Sequence, residues 1–464
     1  MKANLFLVWL SIACTFTGAA NAASAIWLSS PTSSDWVTSV GVNNWSTGNN
    51  TFPGSISVVT NLDTATFNTA STQTAITINS ASLNIKSLTF DTVNAAAYTI
   101  GSTGGNSLLL TSGGAISMNA AVANTETVNA PLVLEGAGAT YTIQNNASDN
   151  TKLLNIGGAV SGGTSGANVL TLRGSNTGNN TISGAISNGS ATTLAVTKSE
   201  AGTWVLTGAN TYTGNTTVNA GTLSLAHSGG TIADTAGVIV SGGTLDVAQD
   251  DTVGAVTISG GATISGTGTL NALSYNANSG GTANILCNLT GTGNLTSSYT
   301  NEVIALSGNN SGWSGSIGAT GSPLALLVGS KNALGTGAVY LGGNLSASVD
   351  LSGTNAITNN FTINGGGAAA SGSNNITLNG SFTVATSSAP AFANNMTGGT
   401  LVLAGPVYIS DLVGTGRTLT ITGTGNTTIS GAIANFNGAG ANGAFAMSNT
   451  GTTVLTGMVL PQNL

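Results

Sequence analysis

A short pattern that recurs along the chain limits what it can fold into. Val218-Asn219-Ala220-Gly221-Thr222-Leu223-Ser224-Leu225 is an apolar residue, a Gly corner and two alternating Leu. Val240-Ser241-Gly242-Gly243-Thr244-Leu245-Asp246-Val247 repeats it 22 residues later (240 minus 218). Ile258-Ser259-Gly260-Gly261-Ala262-Thr263-Ile264 repeats it 18 residues further on (258 minus 240), with one residue inserted after the glycines. Alternation with period two makes a strand with one buried face. Gly at the corner supplies φ > 0, a conformation that strains other residues. A unit this short cannot bury its own apolar face, so it must stack on copies of itself. Thr and Val around the corners favour strand, and no segment carries a capped apolar stripe of helical period.

A longer module is used twice. Thr181-Ile182-Ser183-Gly184-Ala185-Ile186 recurs letter for letter as Thr428-Ile429-Ser430-Gly431-Ala432-Ile433. Leu170 to Gly174 precedes the first copy as Leu419 to Gly423 precedes the second, and Gly202 to Gly208 follows as Gly451 to Gly457 does. Fragments of a third copy lie at Leu306 to Gly315. The composition agrees. Only 5% of the 464 residues are charged and 67 are Gly, yet Leu, Ile and Val are spread evenly, unlike a disordered chain. The expected fold is all-β: a right-handed parallel β-helix, or β-solenoid. At roughly 20 residues per coil, about 440 mature residues would form about 20 coils and a rod on the order of 100 Å.

The stretch Gly202 to Ala226, GTWVLTGANTYTGNTTVNAGTLSLA, carries Gly202, Leu206, Gly208, Asn210, Tyr212, Gly214, Val218, Gly221 and Leu223 in a fixed pattern. This pattern resembles the autotransporter-associated β-strand repeat of large exported bacterial passenger proteins. Looser copies cover much of residues 165–464, and the Trp-rich start (Trp27, Trp36, Trp45, Asp63 to Phe67) is also similar to such proteins. Within the copy, Trp204, Leu206, Tyr212 and Val218 share one parity, and Leu223 and Leu225 take the other after the Gly221 corner. All are expected to face inward. Ile26 to Trp45 is the expected N-terminal cap, since an open end would aggregate.

The N-terminus reads as a secretory leader. Lys2 is the positive start, Leu5 to Ala13 the apolar stretch, and Ala20-Asn21-Ala22 the cleavage site, with cleavage after Ala22. A lipoprotein signal at Cys14 is the competing reading, disfavoured because Ser11 stands where an aliphatic residue is expected. The chain thus divides into residues 1–22 (leader), 23–164 (cap and first coils) and 165–464 (repeat-bearing solenoid). No other segment is apolar and long enough to cross a bilayer as a helix. After Gly457 the repeat is cut in mid-motif: Met458-Val459-Leu460-Pro461 stands where Ala209 to Tyr212 would be matched. A truncated or frame-interrupted product is expected, without the membrane barrel of an autotransporter.

Chemistry is sparse. A net charge of −7, with seven Lys and Arg in all, excludes phosphate-neutralising partners such as nucleic acid and disfavours an anionic membrane surface. Cys287 is the only Cys after the leader, so no intramolecular disulfide is possible, and a buried apolar role is expected for it. His227 is the only His, and a zinc set is therefore lacking. Gly266-Thr267-Gly268 and Gly291-Thr292-Gly293 lack the Lys and helix of a phosphate loop. Asp246, Asp250 and Asp251 are the weak candidates for acid–base catalysis, as on polysaccharide-active β-helix hydrolases or lyases, against the plainer reading of a solvated turn. Their convergence in one outer groove would favour the enzyme.

The leading functional expectation is a non-catalytic, exported surface protein, structural or adhesin-like, that needs no cofactor or metal. Its partner would be an unspecified surface, glycan or protein ligand. The alternatives are the polysaccharide-active enzyme and a Thr-array surface binder, suggested by Thr171 and Thr418-Leu419-Thr420. A degenerate fragment without a retained role is the third.

Overall fold

The computed structural model describes residues 20–22, 24–278, 280–297, 299, 302–318, 324–364, 367–385, 390–412, 415–435 and 443–457. Most of the leader (1–19, with Cys14) and the segment after Gly457 lie outside them. The backbone of Ala20–Ala22 pairs with Thr51–Pro53.

Every paired strand beyond the first coil is parallel to the strand one coil above or below. Three ladders result, one per face. The first runs through Glu126–Val128, Leu154–Ile156, Asn180–Ile182, Thr203–Leu206, Thr222–Leu225 and Thr244–Val247. Thr203 to Leu206 pair one for one with Thr222 to Leu225, and these with Thr244 to Val247. The second face holds Leu132–Leu134, Val160–Gly162 and Ile186–Ser187. The third holds Thr140–Asn145, Ala167–Arg173, Thr193–Lys198, Thr216–Val218 and Val238–Val240. Asp251–Ile258 turns a corner within one strand: its start pairs on the second face with Leu270 to Ala272, its end on the third with Ser274 to Ala277. Among the described residues there is no α-helix, only a 3-10 turn at Gly353–Asn355. The chain is an all-β parallel solenoid.

The coil count expected from the sequence was too high. The solenoid has about 15 turns, so the rod is about 70 Å long at about 4.8 Å per coil. Coils are longer than the 218–264 motif suggested. Val240 pairs with Ile258, 18 residues on, but Thr142 pairs with Thr171, 29 on (171 minus 142). The extra residues sit in corners and loops, which add length without adding a rung.

The core is one continuous column of inward side chains, with strands such as Leu154–Ile156, Ala167–Arg173 and Thr203–Leu206 alternating buried and more exposed positions. At the N-terminal end it is closed by aromatic rings. Trp27 and Trp45 meet edge to face at 4.9 Å, Trp36 and Trp45 at 5.0 Å, and Phe67 and Tyr98 at 4.8 Å. All three indoles are fully buried. Their N–H groups donate to the carbonyls of Gln73, Pro53 and Trp36. Such ring pairs each add about 0.5–1.5 kcal/mol beyond their burial.

Candidate functional site

The repeat of residues 202–223 builds a corner that locks three coils together. Trp204, Leu206, Tyr212, Val218, Leu223 and Leu225 are all fully buried. Trp204 donates its indole N–H to the Arg173 carbonyl (3.0 Å), and the Tyr212 hydroxyl lies 2.7 Å from Thr216 Oγ1. Asn210 is the tie between coils. Its Oδ1 accepts the Ile186 N–H (2.8 Å) from the coil before, and its Nδ2 donates to the Thr231 carbonyl (2.8 Å) in the coil after. Asn310 repeats this arrangement, accepting from Leu289 N–H and donating to the Ala333 carbonyl.

The motif glycines divide by function. Gly221 has φ of +64°, and a Cβ there would lie 2.4 Å from the carbonyl oxygens of Glu200 and Gly202. Gly202, Gly208 and Gly214 have no such φ. They are sites of close approach, where a Cβ would meet a carbonyl of the preceding coil at 2.6–2.7 Å. The expectation of φ > 0 at every corner therefore fails at Gly242 and Gly243. At Gly243 too, crowding against the Gly221 carbonyl (2.7 Å) decides.

The three candidate carboxylates point in different directions. Asp246 faces out from the first face and accepts a hydrogen bond from Ser224 Oγ (2.7 Å). Asp250 is exposed at the corner, with the Thr269 N–H on its Oδ1 (2.8 Å). Gln249, Asp250 and Thr252 are exposed, but Asp251 is only 4% exposed, so the solvated-turn reading of Gln249 to Thr252 fails at that one residue. Its Oδ2 accepts the N–H groups of Thr231 (3.1 Å) and Ile232 (3.2 Å). Burial raises its pKa to about 6, against the pull of those N–H groups.

Asp250 and Asp251 do border one open groove, joined by Asp234 rather than by Asp246. The second-face ladder is interrupted between Ser187 and Asp251, where residues 207–215 and 226–237 run without strand. The second of these segments packs Ile232 and Ala236 into the core and sets Ser228, Gly229, Gly230 and Asp234 along a groove. This groove, of about 560 Å³, also has Thr252, Asn271 and Thr290 on its floor. His227, at the start of the same segment, is half-buried, its Nδ1 accepting the Gly229 N–H (3.1 Å). Among the described residues no group of three His, Cys, Asp or Glu is arranged to hold a metal ion. Cys287 is buried, and burial pushes its thiol up to about 12.

An aligned Thr column exists on the third face: Thr142, Thr171, Thr197 and Thr217 are in register on successive coils. Thr418 and Thr420 have no such neighbours, pairing with Ala444 and Ala446.

Sequence reasoning missed several buried ionisable groups, Glu126, Lys198, Glu302 and Arg417 among them, and two of these have shifted titrations. Glu126 is fully buried, and its Oε2 accepts the Tyr98 N–H (2.8 Å). Burial raises its carboxyl to about 8. Lys198 is also fully buried, with Nζ donating to the carbonyls of Ser199 (2.7 Å), Glu200 (2.6 Å) and Ala220 (3.0 Å). Burial pulls its amine down to about 8. Both occupy inward parity, Glu126 two residues before Val128 and Lys198 two after Val196, so alternation was the available signal.

Stacked parallel ladders with a Gly–Asn–Tyr–Gly corner define a passenger-type β-solenoid. Residues 196–225 match the passenger-associated-transport-repeat family, so the chain carries an autotransporter passenger repeat. Over 87 residues it is 39% identical to the protein described as "Adhesin BmaC autotransporter" of Brucella suis biovar 1 (strain 1330). That alignment covers 19% of this chain and 2% of the relative, so the chain spans only a small part of that protein's length. No solved structure matches the chain.

Proposed function

We propose that this chain is an exported, non-catalytic passenger-type solenoid that acts at or beyond the cell surface as an adhesin-like or structural protein. The observation that carries this is the passenger repeat at residues 196–225, together with local similarity to an autotransporter adhesin. Residues 1–22 act as the leader, cleaved after Ala22. Residues 23–164 form the cap and first coils, and 165–464 the repeat-bearing rod. Of the three candidate carboxylates only Asp250 and Asp251 border the groove, and Asp251 is buried with its Oδ2 held by the Thr231 and Ile232 N–H groups, which supports a structural rather than a catalytic role for it. No helix among the described residues is long and apolar enough to cross a membrane.

The test is to express the full chain in a Gram-negative host and follow export, N-terminal sequence and adhesion of the displayed protein to host cells, matrix and glycan-coated surfaces. Export with a new N-terminus at Ala23 and a gain of adhesion is expected. Retention in the cytoplasm, or turnover of pectin or bacterial glycans by the purified chain, overturns the reading. The in-register Thr column favours a second reading, a flat-face binder of ordered surfaces, which pull-down on crystalline polysaccharide would reveal.

A further inference from the structure

The groove on the second face lies where that face's ladder is interrupted. Its floor is a register column. Thr252 pairs with Asn271 and Asn271 with Thr290, so three successive coils present a hydroxyl, an amide and a hydroxyl at a spacing of about 4.8 Å. Asp234 and Asp250 flank the floor, both exposed, and no Lys, Arg or His lines it. The chain has only 14 acidic residues in all, so three at one groove is a local concentration. The groove continues into a second hollow of about 400 Å³, which shares Asp234, Thr252 and Asn271 and ends beside Leu273, 75% exposed.

The groove wall formed by residues 228–234 is held from both sides. Thr231, in its middle, gives its carbonyl to Asn210 below and its N–H to Asp251 above. Asp251 is more than nine-tenths buried, yet its Oδ1 has no hydrogen-bond partner. That oxygen lies just behind Gly230 on the groove wall: a Cβ on Gly230 would stand 3.4 Å from it. The wall is thus preformed, and a buried carboxylate with spare acceptor capacity backs it. Preformed walls lower the cost of binding, and a cleft lined by charge of one sign attracts counter-ions.

We infer that this groove binds an amino-sugar glycan bearing free amines, laid along the rod axis. Sugar hydroxyls meet the Thr252–Asn271–Thr290 column, the ammonium groups meet Asp234 and Asp250, and the C–H face of a ring rests on Leu273. The inference rests on the surface-binding reading above and names the ligand class for it.

The test is calorimetry of the full chain with glucosamine hexamer, N-acetylglucosamine hexamer and a lysine hexapeptide. Glucosamine hexamer is expected to bind, more weakly as salt rises, and at least about tenfold more tightly than the other two. D234N with D250N is expected to lose about tenfold in affinity, and Asn271→Ala several-fold. D246N, on another face, is expected to bind as the parent does. Absence of binding by glucosamine hexamer, equal binding of the lysine peptide, or full affinity in D234N with D250N each overturns the inference. If the displayed chain adheres but neither it nor the D234N/D250N variant distinguishes glucosamine hexamer from the other two ligands, the inference fails alone and the surface reading stands. A parent chain that never adheres sinks the surface reading itself.

Discussion

Replacing Asn210 by Ala tests whether the repeat's corner residue ties three coils together. The side chain is 5% exposed and makes two bonds, one to each neighbouring coil. In N210A the Ile186 N–H stays buried without an acceptor, at about 1–3 kcal/mol. The Thr231 carbonyl keeps the Asn210 backbone N–H at 3.2 Å, so its loss is smaller, about 1 kcal/mol. The sum is about 2–4 kcal/mol of destabilisation. Trp204 in the same repeat is one of the five fully buried Trp among the described residues, whose emission follows global unfolding. Urea unfolding followed by tryptophan emission, with hydrogen exchange of the peptide holding Ile186, measures both global and local effects. An earlier transition and faster exchange at Ile186 are expected, and Asn310→Ala should reproduce the effect at Leu289. A change below about 0.5 kcal/mol, with exchange at Ile186 unaltered, would refute the bridging argument, since surface substitutions fall in that range.

Three further outcomes follow from buried groups. The Glu126 carboxyl is raised from 4.5 to about 8 by burial, so the folded chain holds that proton where the unfolded chain has lost it. Its contribution is fully present below pH 4.5 and lost as pH climbs through 8, up to about 5 kcal/mol. Asp251 acts in the same direction between 3.8 and about 6. Urea midpoints should therefore fall from pH 5 to pH 8, and E126Q should flatten much of the slope. A parent chain that instead gains stability over that range contradicts this. Lys198→Met removes three donors from three carbonyls and should cost about 2–4 kcal/mol, read as a lowered urea midpoint. Gly221→Ala combines a left-handed φ with two carbonyl clashes. It should cost more than about 2 kcal/mol, whereas a thermal midpoint equal to the parent's would show that the corner relaxes freely.

The particulars separate what was local from what was not. Period-two alternation at Trp204, Leu206, Leu223 and Leu225 is a property of a few adjacent residues, and it already implied strands with one buried face. Recurrence of the Gly corner implied stacking, and the Asn–Tyr–Gly spacing implied the passenger repeat. None of these requires knowing which residues touch across coils. The number of coils did, because corner loops such as 207–215 and 226–237 carry no rung and no periodic signal. The fate of each carboxylate did too. Asp250 and Asp251 are neighbours in the chain, yet one is solvated and the other meets N–H groups 20 and 19 residues earlier. The burial of Glu126 beneath Leu154, and of Lys198 among carbonyls up to 22 residues away, is likewise set by register. Side-chain direction is decided within a strand, whereas the polarity of what it meets is decided by the neighbouring coil. The sequence by itself therefore determined the solenoid, and only the tertiary stacking decided where its charges lie and where its groove opens.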